Sequence, residues 1–187
     1  MLKNTLFLPI LIVGFALCVR IISSADQQKN KINEGFFNKS LKVVRTNQPL
    51  KLMKVTRPLE KYVTPCLTSN FIEEDEEGAK RTLEVPDGSI QSMNVYVLLH
   101  YSKRLAGSPK LQIWPVRGNV PPGWDEIEII KHADDDCLII QPLNFRQEVN
   151  LPCLLWAFKE NNKCIQAYQQ QCPRPSAVAD LIKCQWK

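Results

Sequence analysis

The stretch "DDDCLIIQPLNFRQEVNLPCLLWAFKENNKC", Asp134 to Cys164, holds two short apolar runs, each headed by a cysteine, and a third cysteine soon after. "CLIIQPL" and "CLLWAF" read as strands joined by a polar link, because both are brief and apolar and turn formers lie between them. Cysteines in such positions serve as metal ligands, catalytic thiols or clamps on a sheet. The choice among these depends on the compartment and on the rest of the chain.

The N-terminus predicts the compartment. Lys3 precedes an apolar run of 14 residues, "LFLPILIVGFALCV" (Leu6 to Val19), and Ser23, Ser24 and Ala25 follow with small side chains suited to cleavage. This is the layout of a secretory signal peptide, residues 1–25. The run is shorter than the roughly 20 residues that span a bilayer, so cleavage is expected over anchoring. The mature chain, 26–187, is expected to be secreted, with no membrane attachment after cleavage. Its 162 residues are enough for a single domain with a sizeable core.

Loss of Lys3 and Arg20 with the signal peptide lowers the net charge from +5 to +3. The remaining basic residues are scattered and broken up by acidic ones, without the clustered face and interleaved aromatics that nucleic acid requires. Six cysteines remain, Cys66, Cys137, Cys153, Cys164, Cys172 and Cys184. An even number in a secreted chain predicts three disulfides, and six cysteines allow fifteen pairings. A metal site is not expected: there is no C-x2-C pair, and His100 and His132 lie in different segments. No cofactor and no catalytic centre are expected either, since the chain has no nucleophile motif and only those two separated histidines.

Between residues 49 and 159 the chain alternates apolar runs with turn formers. The runs are 49–56, 65–74, 79–85, 92–101, 110–116, 124–132, 136–143 and 153–159, with Gly78, Pro86-Asp87-Gly88, Gly107-Ser108-Pro109 and Pro121-Pro122-Gly123 among the breaks. Eight strands joined mainly by short turns predict a mainly β, eight-stranded antiparallel barrel or sandwich. In "MNVYVLLHY", Met93, Val95, Val97 and Leu99 share one face, and Tyr96, Leu98 and His100 share the other. In "DEIEIIK", Ile127 and Ile129 alternate with Glu126 and Glu128, a pattern in which the glutamates ordinarily face solvent. Residues 161–172 place Cys164, Ile165, Tyr168 and Cys172 at helical spacing, with Asn161 or Asn162 as the cap and Pro173 as the stop. The polar segment 26–39 is expected to be a short helix or an arm, and Asn38-Lys39-Ser40 is a glycosylation sequon.

This order of elements resembles the secreted lipocalins and, more narrowly, the tick salivary lipocalins, which include histamine-binding proteins. The residues that carry the likeness are "PCLTSNF" (65–71), "DDDCLII" (134–140), "CLLW" (153–156), "KCIQAYQQQC" (163–172) and "KCQW" (183–186). The Gly-x-Trp usual near the first strand of lipocalins is absent. The resemblance implies a lipocalin-type barrel with a C-terminal α-helix and the pairings Cys66–Cys184, Cys137–Cys164 and Cys153–Cys172. It also implies a cavity for one small ligand, captured without chemistry.

In the amine-binding members a Cys-Asp pair is followed by a Glu-Leu-Trp or Glu-Leu-Tyr triplet, and the acids serve because a buried ammonium needs a carboxylate. Here Leu138 and Leu154 stand at those positions, ahead of Leu155 and Trp156. The expected ligand is therefore a lipid-like host mediator before a biogenic amine such as histamine or serotonin. Tyr96, Trp114, Leu138, Leu154 and Trp156 are candidate lining residues, His100 or Tyr101 a polar contact, and Glu128 an inward carboxylate that would rescue an amine site. The alternative is a protein-binding inhibitor of host defence, acting through loops such as 73–78 or 115–124 on a host protein.

Overall fold

The computed structural model describes residues 27–60, 63–64, 66–85, 92–101, 107–120, 127–143, 152–172 and 184. Residues 1–26, with the signal peptide expected there, Glu126, Pro173 and the tail other than Cys184 lie outside the described residues. Helix α1 spans residues 27–45. The strands are β1 (Leu50–Val55), β2 (Thr68–Ser69), β3 (Phe71–Asp75), β4 (Gly78–Leu83), β5 (Met93–His100), β6 (Lys110–Pro115), β7 (Ile127–Asp134), β8 (Cys137–Pro142) and β9 (Leu154–Ala157). A short α2 (Arg57–Glu60) follows β1, and α3 (Asn162–Gln171) follows β9.

All the strands form one antiparallel sheet in the order β2-β1-β9-β8-β7-β6-β5-β4-β3. Its two ends, β2 and β3, are successive pieces of one chain segment parted by Asn70, so the sheet curls back on itself into a nearly closed barrel. Thr68, paired with β1, also exchanges two backbone hydrogen bonds with Glu84, just past the end of β4, at 2.8 and 2.9 Å. The described strands therefore number nine, where the sequence predicts eight. The second apolar run is split at Asn70, whose carbonyl still accepts from Thr82 N–H at 2.8 Å while its own N–H is diverted to a side chain. Its N–H donates to the Thr82 hydroxyl at 3.0 Å, its amide donates to Glu84 Oε1, and the β3–β4 register slips between Phe71 and Glu73. Such an irregularity bends a strand sharply, as barrel closure demands.

Helix α1 runs six residues beyond the arm expected from the sequence, because its second half is amphipathic. Asn33, Phe37, Ser40 and Val44 recur at three- and four-residue steps and face the barrel, with Ser40, Val43 and Val44 no more than 1 % exposed. The helix lies across one end of the barrel and touches three turns there. Arg45 donates to the carbonyls of Asp75, Glu76 and Gly78 at the β3–β4 turn. Lys39 and Lys42 pair with Asp134 and Asp135 at the β7–β8 turn, at 2.8 and 2.9 Å. On the β5–β6 side, Asn33 donates to Gly107 O and the Tyr101 hydroxyl to Asn30 O. Asn38 sits on the outer, exposed face of this helix, and the Ser40 hydroxyl donates back to Phe36 O.

The cysteine-headed runs are buried on both sides, which explains their unbroken apolar character. Leu138, Ile140, Leu154 and Trp156 belong to the barrel interior, whereas Ile139, Leu155 and Ala157 pack outside it under Tyr168 of α3. Asn161 caps α3, its side chain accepting from Lys163 N–H at 2.9 Å. Cys137–Cys164 and Cys153–Cys172 bolt the two ends of α3 to the outer wall, and Cys66–Cys184 ties the tail to the approach to β2. Three such bonds are those of a chain that folds in an oxidising compartment. Among the described residues no helix is long and apolar enough to cross a membrane.

Candidate functional site

Period-two alternation aims each strand's apolar face into the barrel. Val95, Val97 and Leu99 of β5 point inward with Leu111 and Ile113 of β6, all of them buried. On β7 the polarity is the reverse of the sequence expectation. Glu128 is 1 % exposed and stands on the inward side with Ile130, whereas Ile127 on the outer side is 36 % exposed. The register explains this: Glu128 lies opposite Leu111 of β6 and Pro142 of β8, and both positions are on the face of their strands that carries the interior residues Ile113 and Ile140. The bulge between Ile130 and His132 then lets Ala133 return to the interior farther along.

Glu128 is chemically isolated. Its Oε2 has no hydrogen-bond partner among the described residues. Burial alone pushes its carboxyl up to about 8, so at neutral pH the group holds its proton. It contributes one O–H donor and acceptor capacity to an otherwise aliphatic wall.

Among the described residues the other ionisable group turned inward is Arg81 of β4, which is fully buried. Its Nε donates to Ser69 Oγ, Nη1 to the carbonyls of Val44 and Thr46, and Nη2 to those of Gln48 and Ser69, at 2.7–3.0 Å. The guanidinium also lies 5.9 Å from the Phe71 ring centroid. Burial lowers it to about 10, which leaves it charged at neutral pH. With all five donors spent on the end of α1, the α1–β1 link and β2, Arg81 locks the closure of the barrel and has nothing left for a ligand. Sequence reasoning missed it. The signal was its parity with Ala79, Leu83 and Val85, all of which are buried.

Of the candidate lining residues, the structure brings Glu128, Leu138, Leu154 and Trp156 to the interior. Tyr96 and Trp114 face each other across β5 and β6 on the outer wall, where Trp114 is 52 % exposed. His100 is also outside, its Nδ1 3.8 Å from Glu77 Oε2. It lines a surface cleft of about 440 Å³ with Phe37, Leu99, Tyr101 and Lys110, beneath α1. The Tyr101 hydroxyl is committed to α1, and its ring stacks on Phe37 at 5.7 Å. His132 is half-buried against the Phe36 ring, and burial holds its imidazole below the usual range despite Asp134 nearby. Among the described residues no group of three His, Cys, Asp or Glu is arranged to hold a metal.

No protein-family model matches the chain, and no curated protein does. Among solved structures, japanin from Rhipicephalus appendiculatus bound to cholesterol is similar, at 18% identity and a TM-score of 0.46, over 70% of this chain and 91% of that one.

Proposed function

We propose that this chain is a binding protein of the lipocalin type that sequesters a small, mainly apolar molecule inside its barrel by stoichiometric capture, without catalysis. The observation that carries the reading is Glu128, a carboxyl without a partner set in an apolar interior. A buried polar group left unpaired costs about 1–3 kcal/mol, a penalty that a bound polar group offsets. The proposed contacts are Glu128, Leu138, Leu154 and Trp156. One end of the barrel is closed by α1, so the ligand enters at the opposite end. The signal peptide, the disulfides and the resemblance to tick salivary lipocalins support a secreted protein that removes a host mediator and so blunts an inflammatory or haemostatic response. Glycosylation at Asn38, on the exposed face of α1, fits the same compartment.

A second reading has the inward Glu128 in its favour. A cationic amine would pull the proton from this carboxyl and pair with it, in place of the acids that Leu138 and Leu154 replace. Native mass spectrometry of the secreted protein, followed by organic extraction, tests for a co-purifying lipid. Calorimetric titration with leukotrienes, histamine and serotonin separates the classes. Leukotriene binding with no amine heat supports the first reading, micromolar histamine binding supports the second, and failure of every ligand removes both.

A further inference from the structure

We infer that Glu128 holds the ligand as a neutral hydrogen-bond donor to an uncharged hydroxyl or carbonyl, and that capture is lost when this carboxyl ionises. This rests on the sequestration reading and specifies the ligand's polar group. The geometry supplies the reason. On β6 the residue opposite Glu128 is Leu111, on β8 it is Pro142, and the next inward residue on β7 is Ile130. None of these bears a charge. The only inward cation among the described residues, Arg81, has every N–H engaged by Ser69 and by the carbonyls of Val44, Thr46 and Gln48. His132, farther along β7, is turned to the Phe36 ring at the end capped by α1. No counter-ion among the described residues faces the carboxyl, and a carboxylate bare of water and of cations is costly. The group therefore keeps its proton, in keeping with the upward displacement that burial causes.

A protonated carboxyl both donates and accepts, so one hydroxyl satisfies it fully. The sign of the pH response separates this from ammonium capture. A neutral partner is held below the ionisation of Glu128 and released above it, whereas an ammonium must displace the proton and binds better as pH rises toward 8.

Three probes of one chain length make the test: 1-dodecanol, dodecane and dodecylamine, titrated into the full secreted protein between pH 6 and 9.5. The expected result is dodecanol binding that weakens about thirtyfold by pH 9.5, one decade per pH unit above the ionisation. Dodecane is expected to bind with no pH dependence. Glu128→Gln, which keeps a neutral donor, is expected to hold dodecanol with the pH dependence gone, and Glu128→Leu to bind dodecanol no better than dodecane. Dodecanol affinity that is flat with pH in the unmodified protein, or intact in Glu128→Leu, overturns the anchor while leaving sequestration standing. Dodecylamine that binds tighter than dodecanol and gains affinity up to pH 8 overturns it in favour of amine capture. Failure of all three probes at every pH removes the sequestration reading and the anchor with it.

Discussion

Among the described residues Glu128 and Arg81 are the two ionisable groups sealed inside the barrel, and they behave oppositely because one is partnered and the other is not. Arg81 satisfies five donors. Replacing it with lysine offers at most three donors from a point charge that cannot fork, and leaves carbonyls of the α1–β1 link unpaired. Arg81→Lys is expected to cost on the order of 3 kcal/mol in urea unfolding, and Arg81→Met more, since both abandon buried acceptors. Glu128→Leu is expected to stabilise the empty protein by about 1–3 kcal/mol at neutral pH, because it removes an unpaired polar group of similar size. The pH dependence has a definite sign. Between the ordinary glutamate value and about 8 the folded carboxyl keeps a proton that the unfolded chain has released. Stability contributed by this group is therefore full below that window and falls as pH rises through it, by up to about 1.4 kcal/mol per unit. Urea midpoints from pH 5 to 8, compared with those of Glu128→Gln, check this: the variant is expected to lose the slope.

Helix α1 and strand β4 show which contacts hold elements together. The ion pairs of Lys39 and Lys42 are largely exposed, with side-chain exposures of 46 and 67 % at the lysines. Removing both by alanine substitution is expected to cost under about 1 kcal/mol, and less in high salt. Val44→Ala, which empties a position 1 % exposed between helix and barrel, is expected to cost about 2 kcal/mol. Thermal melts of the two variants rank the apolar seam against the charged rim. At the start of β4, a Cβ on Gly78 would run into the carbonyl of Val97 on β5. Gly78→Ala is expected to pry the β4–β5 ladder apart and to lower the melting temperature further than Val44→Ala does.

For the molecule as a whole, the disulfides divide into two kinds. Cys137–Cys164 and Cys153–Cys172 close separations of 27 and 19 residues and hold one helix to one wall. Cys66–Cys184 closes a separation of 118 residues and links the tail to the seam where the barrel closes. Loop-closure entropy grows with that separation, so deleting the long-range bond with Cys66→Ala and Cys184→Ala is expected to cost about 4–5 kcal/mol against roughly 3 for the short ones. Chemical unfolding of the paired double variants tests the ranking. Cys66 itself sits at φ 64°, in the left-handed region that a non-glycine residue adopts at a cost, so part of this bond's work is to hold that bend.

The amino-acid sequence alone determined most of the strand segments, the disulfide-rich character and helix α3 with an asparagine cap at 161 or 162, because these depend on local propensity, turn chemistry and cysteine number. In the sequence, Leu138, Leu154 and Trp156 are candidate lining through the resemblance alone, because they stand where the amine-binding lipocalins carry their motif. Tertiary structure decided the rest. Alternation shows that a strand has two faces, but when isoleucines stand at both parities, as around Glu128, only the register against Leu111 and Pro142 chooses the inner one. The same holds for Tyr96 and Trp114, aromatics whose outward placement follows from the inward seating of Val95, Val97 and Ile113. The capping role of α1 and the buried Arg81 depend on contacts more than thirty residues apart in the chain. Barrel closure brings those partners together, and the burial that closure creates turns a glutamate with the look of a surface residue into an unpaired carboxyl of the interior.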